Sequence, residues 1–243
     1  MRRSVLYIAV VAVLLGACRE RPSVASYWAS RSLDISDIRA SEEEFAEFAE
    51  LAVSAPVEDA IAGIDLLLDR VSSQPVTYYV YSQWLFEGFG SLLSPCHSDT
   101  LFVYAADRIV SEGIMDGYER ELFLTRREYC LHNRVGMRAD IPRIYDREYK
   151  ISNVPLVQKT LFLVVDQACP SCVDAMTGFI SPQWADTWLI ALCVGRGPLP
   201  VEPGWDCFFV DPEQVLFDPS ATPFYFVTAP DGTVETGYTL FKK

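Results

Sequence analysis

Two cysteines separated by two residues, Cys169-Pro170-Ser171-Cys172, are the side chains with the clearest capacity for chemistry. A thiolate is a nucleophile, and two thiols at this spacing can form and open a disulfide. If Cys169 attacks a substrate disulfide, Cys172 is close enough to attack the mixed disulfide that results. The same spacing also serves structural disulfides and half-sites for zinc, so both alternatives stay open.

The residues around the motif predict a strand that leads into a helix. Residues 161–165 form an apolar, β-branched run that ends at Asp166, which is typical of a buried strand. Pro170 suits the first helical turn, because an N–H group there has no partner. We therefore predict a helix over residues 169–180. Its unpaired N–H groups and dipole would favour the thiolate form of Cys169.

Composition predicts a folded, acidic body. Half of the 243 residues are hydrophobic and 13% are aromatic, which supplies ample material for a core. The net charge of −13 repels phosphate backbones, so nucleic-acid binding is disfavoured. The sequence contains no Gly-x-Ser-x-Gly, no His-Glu-x-x-His and no phosphate-binding glycine loop, and a hydrolase is therefore unsupported.

The N-terminus predicts a targeting segment. Residues 1–17 have a basic start, an apolar run and small residues before Cys18. The end of this segment, Leu-Gly-Ala-Cys, resembles the bacterial lipobox. The resemblance implies cleavage before Cys18, lipid attachment to it, and a protein anchored in the bacterial cell envelope facing the periplasm or the exterior. A spanning anchor is the alternative, but the apolar run is shorter than the ~20 residues that a spanning helix needs.

A location outside the cytoplasm would allow the other cysteines to form disulfides, because disulfides persist there. Apart from Cys18 they are Cys96, Cys130, Cys169, Cys172, Cys193 and Cys207. If Cys169 pairs with Cys172, the remaining four allow three connectivities, all of which stay open. Cys193 lies in the apolar run of residues 188–194, so we expect it to be a buried, unreactive thiol.

The first half of the chain predicts helices. Residues 18–40 are mixed and polar, and we interpret them as a tether. Ser41 starts a capping-box pattern with Glu44, which predicts a helix start. Apolar residues then recur at helical spacing in five segments over residues 41–134, which predicts an all-α bundle. We assign residues 41–142 to this helical domain.

Residues 143–243 predict a second domain with a mixed sheet. The predicted strands are residues 144–149, 161–165, 188–194, 207–210, 224–227 and 234–238. The helix at 169–180 lies between the second and third strands, and Asp231-Gly232 predicts a hairpin turn. The predicted fold class is therefore an all-α domain followed by an α/β domain.

This second domain resembles a thioredoxin-like domain, because a Cys-Pro-Ser-Cys motif follows its apolar strand and Thr222-Pro223 precedes a later strand. The whole body is similar to envelope lipoproteins in which a helical domain precedes a TlpA-like thioredoxin domain. The resemblance implies a cis-proline at Pro223 packed against the motif. It also implies a substrate groove that includes Pro170, Ser171 and Thr222.

The resemblance implies a membrane-anchored thiol–disulfide oxidoreductase, acting as a reductant on protein disulfides. Cys169 would attack the substrate, Cys172 would resolve the mixed disulfide, and Pro223 would shape the groove and keep metal from the sulfurs. The implied partners are protein thiols or disulfides and an envelope reductant, and no cofactor is expected.

Three features depart from the family pattern. Ala168 stands where many members have tryptophan, and Leu163 stands where thioredoxin has a buried acid that helps to deprotonate the second cysteine. The chain ends about twenty residues after Pro223, too soon for the last helix of the usual fold. These departures keep an alternative open, in which a non-catalytic binding lipoprotein uses the motif as a permanent disulfide.

A metal carrier is the remaining alternative, because copper-handling relatives combine two cysteines with a downstream histidine. Here His97 and His132 both precede the motif, and no second Cys-x-x-Cys exists. We therefore expect no metal and interpret the two histidines as surface or helix-end residues.

Overall fold

The computed structural model describes residues 23–166, 169–195, 203–211 and 214–241. The predicted signal peptide and the lipid attachment at Cys18 lie outside these residues. Helices form the first part of the described chain, and a mixed seven-stranded sheet follows. The helices are α1 (Ile38–Ser54), α2 (Val57–Val71), α3 (Pro75–Leu85), α4 (Asp99–Glu112) and α5 (Gly117–Leu131). The predicted fold class is thus confirmed.

The helices enclose one hydrophobic core. In α2, Ile64, Leu67, Leu68 and Val71 are fully buried, and their spacing places them on one side of the helix. After α3 the chain continues as a π-helical turn, Phe86–Gly90. The helical stretch from Pro75 to Gly90 is therefore divided between these two elements.

The prediction that residues 18–40 form a tether is wrong for their described part. Tyr27 and Trp28 are buried among the helices. The Tyr27 hydroxyl donates to the carbonyl oxygen of Glu44 at 3.0 Å, and the Trp28 ring lies 5.2 Å from the Phe48 ring. Burial of each large aromatic side chain contributes on the order of 3 kcal/mol. The burial of these two aromatic side chains therefore holds the segment against the helices, although most of its other residues are polar.

The start of α1 also differs from the prediction. The helix begins at Ile38, and the Asp37 carboxylate accepts a hydrogen bond from the Ala40 N–H at 3.2 Å. Ser41, the predicted cap, lies inside the first turns, with its hydroxyl 3.0 Å from the carbonyl oxygens of Asp34 and Asp37. Asp37 thus takes the capping role, because its carboxylate satisfies an otherwise unpaired N–H group.

The sheet has the strand order β2-β1-β5-β4-β3-β6-β7. Its strands are β1 (Ile144–Tyr145), β2 (Ile151–Ser152), β3 (Thr160–Asp166), β4 (Trp188–Val194), β5 (Trp205–Val210), β6 (Phe224–Thr228) and β7 (Val234–Leu240). Strands β3, β4 and β5 are parallel, and β6 and β7 form an antiparallel hairpin through Asp231-Gly232, where Gly232 has φ 83°. The hairpin prediction is confirmed.

The predicted strand over residues 144–149 is too long. The Asp146 carboxylate accepts hydrogen bonds from the N–H groups of Glu148 and Lys150, at 2.8 and 2.9 Å. Tyr149 adopts φ 58°, which reverses the chain. The segment is therefore a tight turn between the two-residue strands β1 and β2.

The two faces of the sheet have different covers. Helix α6 (Pro170–Phe179) links β3 to β4 and packs on one face through Cys172, Ala175 and Met176. The opposite face packs against Phe217 and Ala221 from the segment before β6. It also packs against residues 139–156 and against Leu92 of the helical part. The helical part thus supplies one contributor to this face.

In the described part of the chain, no helix has the length and apolarity needed to cross a bilayer.

Candidate functional site

The sequence around the motif folds as a strand, a short connection and a helix. Strand β3 ends at Asp166, whose carbonyl oxygen accepts a hydrogen bond from the Cys169 N–H at 3.1 Å. Cys169 is the residue before the first turn of α6, and Pro170 occupies the first helical position. The backbone N–H of Cys172 donates to the carbonyl oxygen of Cys169 at 3.1 Å. The motif therefore lies at the helix start, as predicted.

Cys169 is partly exposed, and its sulfur lies 3.0 Å from the Ser171 hydroxyl oxygen. Partial burial opposes charge on this thiol. Hydrogen bonds from the side chains and backbone N–H groups of Cys172 and Ser171 outweigh that effect and lower the pKa of Cys169. Cys169 is therefore the thiol of this site that ionises more readily.

Cys172 lies one turn further along α6 and faces the sheet, with 4% of its surface exposed. Burial is the main cause that raises its pKa to about 12, and the hydrogen bond that it donates to Cys169 acts in the same direction. The negative charges of Cys169 and Asp166 raise the pKa further, whereas a backbone hydrogen bond from Asp166 lowers it. Cys172 is therefore protonated and shielded while Cys169 is ionised.

Thr222 and Pro223 lie beside the motif. Their peptide bond is cis, as the resemblance implies. The Thr222 carbonyl oxygen lies 4.0 Å from the Cys169 sulfur, within reach of its S–H group. The structure thus brings Cys169, Ser171 and Thr222 together. The roles assigned to these residues and to Pro170 and Pro223 stay predictions.

The other described cysteines are thiols. Cys193 and Cys207 belong to the same buried cluster as Cys172, beneath α6, and burial raises the pKa of Cys193. Cys193 is thus a buried thiol, as predicted. Cys96 and Cys130 are buried separately in the helical part, where burial again raises the pKa of each thiol.

Sequence reasoning missed two acidic residues near the motif. Leu163, at the position where thioredoxin has a buried acid, is fully buried. Asp166 lies at the end of the same strand, and its negative charge contributes to the raised pKa of Cys172. A polar residue that ends an apolar strand just before a Cys-x-x-Cys motif was the available signal. Asp218 starts the short helical turn Pro219–Ala221 that precedes Thr222, and an Asp-Pro pair is a recognised turn signal.

Each of the two histidines faces a carboxylate. His97 Nε2 lies 3.2 Å from an Asp99 oxygen, and His132 Nδ1 lies 2.9 Å from an Asp140 oxygen. His132 ends α5, a helix-end position as predicted. Across the described residues, no group of three or more histidine, cysteine or acidic side chains could hold a metal ion.

Among solved structures, the chain is similar to a thioredoxin-like protein from Bacteroides caccae. The TM-score is 0.74 at 15% sequence identity, and the match covers 88% of this chain and 86% of that chain. At this identity the similarity shows the fold alone. The sheet part thus has a thioredoxin-like fold, and a match of this extent also takes in helices that precede it.

Two weaker similarities cover less of the chain. The thioredoxin domain of a thiol-disulfide oxidoreductase from Bacteroides vulgatus matches 45% of this chain and 90% of that chain, with a TM-score of 0.33 at 11% identity. The C-terminal domain of an uncharacterized protein from Bacteroides fragilis matches 43% and 89%, with a TM-score of 0.35 at 17% identity. Protein-family models and curated proteins give no match.

Proposed function

We propose that this protein is a membrane-anchored thiol–disulfide oxidoreductase of the bacterial envelope that reduces protein disulfides through Cys169 and Cys172. One observation carries the proposal, namely the opposite environments of the two thiols. Hydrogen bonds lower the pKa of the partly exposed Cys169, whereas burial raises the pKa of Cys172. A reachable, readily ionised thiol beside a protected one suits attack followed by resolution.

In the first step the Cys169 thiolate attacks one sulfur of a substrate disulfide. A bond forms between Cys169 and that sulfur, the substrate S–S bond breaks, and the other substrate sulfur leaves as a thiolate. Cys172 does not compete for the substrate, because it is buried and protonated. The product is a mixed disulfide between Cys169 and the substrate.

In the second step Cys172 gives its proton to solvent or to the thiolate released in the first step, and then attacks the Cys169 sulfur. A bond forms between the two cysteines, and the second substrate sulfur leaves as a thiolate with two electrons delivered to the substrate. The mixed disulfide removes the negative charge of Cys169, which raised the pKa of Cys172 before the attack. Formation of the intermediate thus favours ionisation of the thiol that resolves it.

A dithiol reductant of the envelope would then return the pair to its reduced form. In the groove, Pro170, Ser171, Thr222 and Pro223 would contact the substrate backbone beside the reacting sulfur. The lipid proposed for Cys18 would anchor the protein. The reductive direction rests on the likeness to TlpA-like proteins.

A redox titration of the body from Arg19 onward tests this function. Thiols are counted by mass after alkylation across a glutathione or dithiothreitol series. We expect a reversible two-electron transition above about −300 mV that Cys169→Ser abolishes. Cys193→Ala, which removes a thiol buried beneath the pair, is the matched control and should leave the transition in place.

The second candidate is a non-catalytic binding lipoprotein with a permanent Cys169–Cys172 disulfide. The buried Leu163 favours it, because no carboxylate occupies the position from which thioredoxin assists its second cysteine. A pair that stays oxidised well below about −300 mV would establish this candidate and exclude the reductase.

A further inference from the structure

The segment before Thr222 has a defined conformation that depends on Asp218. One oxygen of its carboxylate accepts hydrogen bonds from the Ser220 N–H at 3.0 Å and from the Ser220 hydroxyl at 2.7 Å. These bonds cap the short turn Pro219–Ala221. Ala221 is buried in the core of the sheet's second face, and the next residue presents its carbonyl oxygen to the Cys169 sulfur.

The other oxygen of Asp218 is bound by Arg126, which projects from α5 in the helical part. Only 16% of the Arg126 side chain and 11% of the Asp218 side chain are exposed. Arg126 also donates to the Gly90 carbonyl oxygen at 3.4 Å, and its guanidinium lies 5.2 Å from the centre of the Phe86 ring. Contacts within the helical part therefore help to position this arginine beside the turn.

A second link joins the helical part to the same segment. The Asn133 side-chain amide, just after α5, donates to the Tyr238 hydroxyl at 2.8 Å. The Tyr238 hydroxyl donates in turn to the carbonyl oxygen of Leu216 at 3.0 Å. Residues 216–218 are thus connected to Arg126 directly and to Asn133 through Tyr238 of β7.

We propose that Arg126 is a positioning residue, through which the helical part sets the place of Thr222 beside Cys169 by way of Asp218. The inference rests on the proposed function and extends it, since it gives the helical part a role in substrate binding. Arg126 does not touch the reacting sulfur. It acts on the turn whose last residue adjoins Thr222, and displacement of that turn would disturb the groove and leave the dithiol intact.

Three variants test the proposal. Arg126→Ala removes the link. Asp218→Asn also removes the charge pair but keeps an oxygen that can accept the Ser220 hydrogen bonds. Arg127→Ala is the matched control, because Arg127 is the next residue of α5 but pairs with Asp107 and Glu128 of the helical part.

The steady-state reduction of a protein disulfide supplies the first readout. We expect Arg126→Ala and Asp218→Asn each to raise KM about tenfold with little change in kcat, because misplaced binding groups weaken substrate docking. The double variant should be no worse than either single one, because both changes remove the same link. Arg127→Ala should match the wild type.

The pH profile of Cys169 alkylation by a small reagent supplies the second readout. The Thr222 carbonyl oxygen accepts from the thiol form, so its displacement should move the inflection to lower pH in both variants. An unaltered KM together with an unaltered profile would overturn the proposal. If Arg126→Ala fails to fold, Asp218→Asn decides alone. Failure of the proposed function is distinct, because the wild type itself would then lack the redox transition.

Discussion

The two faces of the sheet are covered by different means. One face lies under α6, which follows β3 directly in the chain and carries both cysteines of the motif. The other face is assembled from separate segments, among them Phe217, Ala221 and the helical residue Leu92. The reactive face is thus built locally, whereas the opposite face depends on contacts between distant parts of the chain.

The two faces therefore contribute to different properties of the site, namely the chemistry of the thiols and the position of Thr222. Neighbouring residues place both thiols and lower the pKa of Cys169, whereas burial beneath α6 raises the pKa of Cys172. The position of Thr222 is set from the opposite face, where the helical part meets residues 216–218. Changes on the α6 face should therefore alter thiol chemistry, and changes on the opposite face should alter stability and substrate docking.

The largest expected effect concerns the core of the opposite face. Phe162 and Phe226 are fully buried there, stacked with ring centres 4.7 Å apart. We expect Phe226→Ala to lower the free energy of unfolding by about 3–5 kcal/mol, because it leaves a cavity. Urea denaturation measures this. Tyr149→Ala is the control, because the Tyr149 ring is also stacked but is 52% exposed, and we expect it to cost much less. If Phe226→Ala cost no more unfolding free energy than Tyr149→Ala, the core of this face would be loosely packed.

The next effect tests whether reactivity is confined to one thiol of the α6 face. The pKa of Cys172 is about 12, and that of Cys169 is below its ordinary value. Near neutral pH, thiolate should therefore be more abundant at Cys169 than at Cys172, and alkylation of the partly exposed Cys169 should be at least about tenfold faster. The alkylation rate of Cys169 should rise with pH and reach its plateau at a lower pH than the alkylation rate of free cysteine, because the pKa of Cys169 is lowered.

Mass spectrometry of the reduced protein after timed alkylation between pH 5 and 9 checks this. The buried thiols Cys96, Cys130, Cys193 and Cys207 serve as internal controls. Equal labelling of Cys169 and any buried thiol in the folded protein would contradict the assigned environments.

The smallest expected effect measures how much the helical part stabilises the opposite face of the sheet. Leu92 packs against the sheet core, whereas the adjacent Leu93 is 68% exposed. We expect Leu92→Ala to cost about 1–2 kcal/mol of unfolding free energy and Leu93→Ala less than about 0.5 kcal/mol. Thermal and urea unfolding compare the pair, and equal losses would show that this contact contributes nothing.

Short-range patterns predicted the reactive face well. An apolar run from residue 161 marked β3, because a central strand buried on both faces needs no polar alternation. Pro170 marked the helix start that holds Cys169. These signals succeeded because strand, motif and helix are contiguous.

Long-range contacts were beyond such patterns. Arg126 and Asp218 lie 92 residues apart in the sequence, and nothing in the sequence around either residue indicates that the two form an ion pair. Cys193 and Cys207 share a buried face only because of strand register, which places Cys207 opposite Ala191. The cap of α1 was misplaced because Ser41 and Glu44 fit the capping-box pattern, whereas Asp37, the cap in the structure, has Ala40 three residues later.

The burial of Tyr27 and Trp28 bears on how far the folded body would lie from a bilayer. If lipid is attached at Cys18, the chain from there to Ser23, where the described body begins, extends at most roughly 18 Å. Tyr27 and Trp28 belong to the folded body, so they add nothing to the length of a tether. Under the proposed attachment at Cys18, the folded body would therefore lie close to the membrane surface rather than at the end of a long tether.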